Sequence, residues 1–131
     1  MKVLIADDAP DIRAILKQLV GLEGAEVLEA EDGADAVNMF RASRPDLVLL
    51  DIDMPRMNGL EAARAIKRID PQARLVMITA NSDRAHVLEA FRIGVVDFIA
   101  KPFDPMRVWQ VLQQHRGPGR QATGAGVMTR R

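Results

Sequence analysis

Five short apolar runs alternate along the chain with five longer segments whose apolar residues recur at helical spacing. Apart from Glu29 in the weaker second run, the runs are apolar throughout instead of alternating with polar residues, which indicates strands buried on both faces and hence a parallel sheet. Repeated strand–helix units with right-handed crossovers predict an α/β fold, a doubly wound (βα)5 sandwich of three layers. The five runs occupy residues 3–6, 27–30, 47–50, 75–78 and 98–100.

The helical segments carry recognisable start and stop signals. Gly59 opens the third helix, and Pro105 lies near the start of the fifth, where proline is tolerated. Asp83 can cap the fourth helix, in which Leu88 and Phe91 lie at helical spacing, and Gly94 ends it. These signals support five helices, one after each strand.

Length and charge narrow the class of protein. The chain has 131 residues, enough for one domain, with 18 acidic and 18 basic residues. Four arginines and no acid follow residue 115, so residues 1–115 hold 14 basic against 18 acidic residues, about −4 in net charge. Domains that bind nucleic acid are usually markedly basic, so direct nucleic-acid binding is not expected.

The cysteine content, the length of the apolar runs and the composition of the last residues give three further predictions. The chain has no cysteine, which favours a cytoplasmic protein without disulfides. No apolar run approaches the roughly 18 residues of a transmembrane helix, so no membrane span is expected. Residues 116–131 are rich in Gly and Arg and show no periodicity, which predicts a disordered tail or linker stub after a domain of residues 1–115.

Polar side chains follow four of the five predicted strands, at the edge where parallel α/β sheets bind ligands. They are Asp7 and Asp8, then Asp51 and Asp53, then Thr79, and finally Lys101. Carboxylates gathered at one edge repel one another unless a cation neutralises them, and an all-oxygen set suits Mg²⁺. Lys101 and the Thr79 hydroxyl suit phosphate oxygens, and a carboxylate can act as nucleophile and form an acyl phosphate.

The ordered set of motifs resembles the receiver domain of two-component response regulators, of the kind found in chemotaxis regulators. The resemblance runs in register from about residue 1 to 115. It rests on Asp7-Asp8, Asp51-x-x-Met54-Pro55-x-Met57-Asn58-Gly59, Thr79-Ala80 and Gly94-x-x-Asp97-Phe98-x-x-Lys101-Pro102-Phe103. It implies the flavodoxin-like strand order 2-1-3-4-5, which the alternation of strands and helices alone does not determine.

The resemblance implies a phosphorylation site at Asp51. Asp8 and Asp7 would bind Mg²⁺ together with Asp51 and the backbone carbonyl of Asp53, and Mn²⁺ would substitute. Thr79 and Lys101 would contact the phosphoryl group.

Further positions carry finer roles by the same resemblance. Phe98 takes the position of the aromatic switch residue, and the peptide bond between Lys101 and Pro102 is expected to be cis. Asp53 and Asn81 flank the phosphoryl site and are expected to tune its hydrolysis.

Partners follow from the family too. A histidine kinase or histidine phosphotransfer protein would supply the phosphoryl group. The face formed by the fourth helix, the fifth strand and the fifth helix would then contact an output partner or fused effector, or form a homodimer. Trp109 is expected beside the core stripe of the fifth helix, either partly exposed on this face or in the core. The two histidines, His86 and His115, are expected to be solvated surface residues.

Two questions stay open at this point. The Asp51-x-Asp53 pair also resembles the nucleophile motif of haloacid-dehalogenase-like phosphatases, although there the motif follows the first strand. A signalling switch that catalyses only its own phosphorylation and dephosphorylation, and is not otherwise an enzyme, is the favoured interpretation. Whether the chain acts alone or belongs to a longer protein cannot be decided from these motifs.

Overall fold

The computed structural model describes residues 1–115, which form five strands and five helices in strict alternation. The predicted tail, residues 116–131, lies outside the described residues. The strands are β1 (Lys2–Ala6), β2 (Glu26–Ala30), β3 (Leu47–Leu50), β4 (Leu75–Thr79) and β5 (Asp97–Ala100). The helices are α1 (Pro10–Gly21), α2 (Gly33–Ser43), α3 (Gly59–Ile69), α4 (Arg84–Ile93) and α5 (Pro105–Gln114).

All strand pairs are parallel, and the order across the sheet is β2-β1-β3-β4-β5, which confirms the expected topology. The central strands β3 and β4 are buried at every residue, as their unbroken apolar sequences predict. The edge strand β2 differs, since Glu26 and Glu29 are exposed. An acidic, solvated edge discourages pairing with another sheet.

Two separate apolar cores lie on the two faces of the sheet, which makes the molecule three layers thick. Phe40 of α2 and Ile66 of α3 belong to one core. Leu16 of α1 and Leu112 of α5 belong to the other. Each of these side chains is at most 1% exposed, so each stabilises the fold by about 2 kcal/mol relative to an exposed position.

The helix boundaries follow capping chemistry. The Asp83 side chain accepts from the His86 N–H at the start of α4, and Gly94 ends that helix at φ 114°, so both sequence predictions are confirmed. Asn58 and Glu61 form a reciprocal capping box at the start of α3. The two N-caps, Asn58 and Asp83, define where the loops after β3 and β4 end at the carboxyl edge of the sheet.

The spacing of apolar residues did not show which faces of α4 and α5 are buried against the rest of the protein. Leu88 and Phe91 lie at helical spacing in α4, yet they are 49% and 47% exposed. Trp109 on α5 is 47% exposed, which decides between the two alternatives left open by the sequence. In the described part of the chain, no helix combines the length and apolar character needed to cross a membrane.

The expectation that His115 is a solvated surface residue is wrong. Its side chain is only 16% exposed, and Nε2 lies 3.3 Å from Oδ2 of Asp97. Asp97 also accepts from Arg107 Nη2 at 2.7 Å. The parallel topology brings the start of β5 beside the end of α5, and this contact is invisible in sequence. For His86 the expectation holds only in part, since its side chain is 34% exposed and pairs with Asp83.

Candidate functional site

Polar groups from three strands meet at the carboxyl edge of the sheet. Lys101, which follows β5, donates from Nζ to Asp7 Oδ2 at 2.6 Å and to Asp51 Oδ2 at 3.1 Å. The side chain of Lys101 is 15% exposed, and both carboxylates are more deeply buried. The ammonium group therefore joins the ends of β1, β3 and β5 in one cluster.

Three acids form the centre of this cluster. Each of Asp7, Asp8 and Asp51 offers one carboxylate oxygen, and these atoms all lie within 4.8 Å of one another. Asp7 and Asp51 are buried, whereas Asp8 is exposed to solvent. The second oxygen of Asp7 accepts from the backbone N–H of Ala9 at 2.9 Å. One side of the cluster is therefore fixed by the protein and the other is open to a ligand.

The electrostatics of the cluster favour added positive charge. Burial raises the pKa of the Asp7 carboxyl above its usual value, and the charge of Asp51 raises it further, against hydrogen bonds from Lys101 and Ala9. Burial alone would lower the pKa of Lys101, but the carboxylates of Asp7 and Asp51 outweigh it and leave that pKa raised. The ammonium group therefore stays charged, and the carboxylates are only partly compensated by it.

A second set of hydrogen bonds connects the ends of β3 and β4. Thr79 is fully buried, and its Oγ1 accepts from the backbone N–H of Asn81 at 3.1 Å. The Asn81 side-chain amide donates to Asp53 Oδ1 at 3.3 Å. The backbone N–H of Asp53 in turn donates to Asp51 Oδ1 at 3.2 Å. The loop after β4 thus reaches the loop after β3 directly beside Asp51.

Close backbone packing holds these loops in place. The N–H of Asp51 donates to the Ala6 carbonyl at 3.0 Å, and that of Lys101 donates to the Thr79 carbonyl at 2.9 Å. A Cβ atom on Gly59 would lie 2.0 Å from the carbonyl oxygen of Asp51, so only glycine allows α3 to begin this close to β3. The peptide bond between Lys101 and Pro102 is cis.

The structure brings the predicted acids and the predicted lysine together at one edge of the sheet. The side chains of Asp7, Asp8, Asp51 and Lys101 share one cluster, and Asn81 joins it through Asp53. Phe98 lies in β5 opposite Met77 of β4, partly buried against the core that contains α2 and α3.

Sequence reasoning missed an ion pair at the rim of the site. Arg56, in the loop after β3, donates to the buried carboxylate of Asp32, which precedes α2. The only sequence signal was local, since an acid followed by glycine at the start of an amphipathic segment is typical of a helix N-cap. Nothing in the sequence connects position 32 with position 56.

The donor set fits a hard divalent cation. Carboxylate oxygens are the ligands that Mg²⁺ prefers, and Mg²⁺ is usually held by one or two carboxylates with water and phosphate completing the set. Asp7, Asp8 and Asp51 provide such oxygens around one point. Burial is the main cause of the raised pKa of Asp7, and a cation there would relieve the repulsion from Asp51 that adds to it.

Comparison with known proteins agrees with this geometry. Residues 3–113 match the family model described as the response regulator receiver domain. The chain is 43% identical to the chemotaxis protein CheY of Thermotoga maritima over 114 residues, which covers 86% of this chain and 95% of that protein. It is 37% identical to sporulation initiation phosphotransferase F of Bacillus subtilis over 103 residues, 79% of this chain and 83% of that protein.

A solved structure extends the likeness to three dimensions. The crystal structure of the CheX-CheY-BeF3-Mg²⁺ complex from Borrelia burgdorferi superposes with a TM-score of 0.83 at 34% identity. The match covers 87% of this chain and 88% of that one. Sequence, fold and family model agree, and the chain belongs to the response regulator receiver domain family.

Proposed function

We propose that Asp51 accepts a phosphoryl group from a phosphohistidine of a histidine kinase or a histidine phosphotransfer protein. The observation that carries this proposal is the environment of Asp51, a buried carboxylate held by Lys101 Nζ and grouped with Asp7 and Asp8. A buried acid with a lysine and further acids around it suits a charged group that arrives and leaves. The family match over residues 3–113 leaves the haloacid-dehalogenase-like alternative without support.

The side chains of Asp7, Asp8 and Asp51, with the backbone carbonyl of Asp53, would hold Mg²⁺, and Mn²⁺ would substitute. When bound, the ion would neutralise the negative charge that gathers on the transferred phosphoryl oxygens. The grouping of carboxylate oxygens within 4.8 Å supports this assignment.

The protein's own groups would carry out the transfer. A carboxylate oxygen of Asp51 attacks phosphorus, the bond from phosphorus to the donor's imidazole nitrogen breaks, and that nitrogen keeps the electron pair. Lys101 already donates to Asp51 and is placed to follow the negative charge onto a phosphoryl oxygen. The products are an acyl phosphate on Asp51 and a free histidine on the donor.

Phosphorylation would then act as a switch. The group carries about −1.5 to −2 charges in place of the single charge of the Asp51 carboxylate, and its three acceptor oxygens would draw the Thr79 hydroxyl toward it. Thr79 Oγ1 now holds the N–H of Asn81, so its movement would shift the loop after β4. Phe98 would turn into the space that is released. We propose this shift between two states as the signal, with no turnover of an external substrate.

The face formed by α4, β5 and α5 would contact the output partner or a fused effector. Its support is the apolar surface left exposed there, since Leu88, Phe91, Met106 and Trp109 are each between 47% and 56% exposed. The same face could join two copies in a homodimer. The cytoplasmic location, the lack of direct nucleic-acid binding and the choice between a stand-alone and a fused regulator stay predictions.

Asp53 and Asn81 would tune the lifetime of the phosphoryl group. They hydrogen-bond to each other at 3.3 Å, and the backbone N–H of Asp53 donates to Asp51 Oδ1 at 3.2 Å, so both would lie next to the acyl phosphate. An acid at position 53 is expected to disfavour nearby anions. Replacing Asp53 by Asn without a change in the phosphoryl half-life would reject this role.

Labelling with a small phosphodonor tests the central proposal. Acetyl phosphate with Mg²⁺ should phosphorylate the wild type once per chain, and EDTA should prevent it. Asp51→Asn should not be labelled, while Asp46→Asn, an exposed acid at the opposite edge of the sheet, should label normally. Equal labelling of Asp51→Asn and the wild type would refute the proposal, and continued turnover of a phosphate ester would favour a phosphatase.

A further inference from the structure

The loop between β3 and α3 is tied to the start of α2, an element on the far side of Asp51 from α4. Two contacts make this connection. Arg56 donates from Nε and Nη2 to Asp32 Oδ2 at 2.8 Å and 2.6 Å. The backbone N–H of Gly33 donates to the Met57 carbonyl at 3.0 Å. Adjacent residues of the loop are therefore held by adjacent residues of the α2 N-terminus.

The Asp32 carboxylate is fully engaged and well buried. Its second oxygen accepts from the Asp35 N–H at 2.8 Å and so caps α2, and the side chain is only 9% exposed. The Asp35 N–H and, after it, the Arg56 guanidinium hold the pKa of this carboxyl below its usual value. Asp32 is therefore a fixed anion, and Arg56 must come to it.

Arg56 adopts a backbone conformation that arginine does not favour. Its φ is +66°, in the left-handed region where a side chain costs free energy. Gly33 packs directly against the same loop, because a Cβ there would lie 2.1 Å from the Met57 carbonyl oxygen and only glycine allows this close approach. A strained residue whose side chain makes an ion pair at a functional edge points to a role in shaping that edge.

We propose that the Asp32–Arg56 pair is a positioning device that fixes the loop after β3 in the shape needed to bind Mg²⁺. The inference rests on the proposed function, in which Asp51 and the Asp53 carbonyl take part in that site. Asp53 lies three residues before Arg56 in a loop held at both ends. Neither Asp32 nor Arg56 would touch the ion, and they would act only through the shape of the loop.

Glycine at position 56 separates positioning from stability. Arg56→Gly relieves the left-handed strain while removing the ion pair of a largely exposed arginine, so the two effects on stability oppose each other and its urea midpoint should stay close to that of the wild type. Asp32→Asn removes the anion but keeps a good N-cap for α2. Arg44→Gly is the matched control, because Arg44 also has a positive φ, 47°, but lies at the other end of α2.

The measurement is a titration of the metal-free protein with MgCl₂, followed by backbone amide chemical shifts. Arg56→Gly and Asp32→Asn should each bind Mg²⁺ about tenfold more weakly, the usual order for residues that orient metal ligands. The double variant should be no weaker than either single variant, and Arg44→Gly should match the wild type.

Three results would overturn the inference but not the proposed function. The first is wild-type Mg²⁺ affinity in both Arg56→Gly and Asp32→Asn, and the second is losses of affinity that add in the double variant. The third result is a loss of Mg²⁺ affinity in Arg44→Gly equal to that in Arg56→Gly. If the wild type binds Mg²⁺ but Asp51→Asn is labelled as well as the wild type, the proposed function is refuted and the positioning of the loop stays supported. A wild type without saturable Mg²⁺ binding would overturn both.

Discussion

Gly59 is the residue where a single methyl group should reveal how tightly the site depends on the backbone beneath it. A Cβ at this position would lie 2.0 Å from the Asp51 carbonyl oxygen, whereas ordinary contacts begin near 3.4 Å, so the two backbones must separate by about 1.4 Å. The neighbouring atoms are the Asp51 carbonyl carbon and the Ile52 Cα, also main chain, so no flexible side chain can yield. The strain falls directly on the proposed phosphoacceptor.

Both stability and chemistry should respond to Gly59→Ala. Overpacking of this kind costs about 3 kcal/mol, which leaves a domain of ordinary stability folded at 25 °C. Moving a reacting group by about 1 Å from its productive geometry costs on the order of 100-fold in rate. We therefore expect a clear fall in the urea midpoint and a phosphorylation rate with acetyl phosphate about 100-fold lower.

Gly21→Ala provides the matched control. Gly21 is the last residue of α1, and an added Cβ would meet no atom within 4 Å. The same chemical change should therefore stabilise the protein by up to about 1 kcal/mol through helix propensity and leave phosphorylation unchanged. A Gly59→Ala protein within about 0.5 kcal/mol of the wild type and labelled at the wild-type rate would refute the reasoning.

Three further predictions concern charge and exposure. Asp7→Asn should be more stable than the wild type at pH 7 in EDTA. The pKa of Asp7 is raised in the folded state, so the wild type loses stability as the pH rises above 3.8. Urea titrations should show that the difference in stability between the two proteins becomes smaller as the pH is lowered toward 3.8. Asp97→Asn should lower the free energy of unfolding at pH 7 by about 2 kcal/mol, because Arg107 and His115 are left without their anionic partner. Since the pKa of Asp97 is lowered in the folded state, this loss should become smaller below pH 3.8. Trp109→Ala should change the urea stability by less than about 1 kcal/mol, since the ring is half exposed, yet should weaken binding to an output partner.

Periodicity was sufficient to predict a three-layer sandwich with a parallel sheet, but not the order of its strands. The unbroken apolar runs required burial on both faces, and parallel strands necessarily collect their carboxyl ends at one edge. The meeting of Asp7, Asp51 and Lys101 follows from that geometry together with the strand order, which came from family resemblance. Local signals such as Asp83 and Gly94 worked because capping depends on neighbours within four residues.

Contacts between distant loops and the choice of covered helix faces could not be read in this way. The Asp32–Arg56 and Asp97–His115 pairs join positions 24 and 18 residues apart, and each depends on how two separate elements meet. The apolar residues of α4 were not a guide to the core, for a different reason. Helical spacing reports that Leu88 and Phe91 share a face, but an apolar face suits a partner protein as well as it suits the core.

The charge at the carboxyl edge explains why one arrangement can suit both a metal and a phosphoryl group. Three carboxylates and one ammonium group leave two negative charges in the cluster. A divalent cation balances that remainder, whereas a monovalent ion would leave half of it. Phosphorylation replaces the single charge of the Asp51 carboxylate with about two negative charges, so it adds about one, and Lys101, already bonded to Asp51, is the positive side chain placed to pair with it. Lys101 donates to both Asp7 and Asp51, so it could turn toward the new charge while Asp7 continues to bind the cation. We therefore expect Lys101→Met to impair phosphorylation far more than it impairs Mg²⁺ binding.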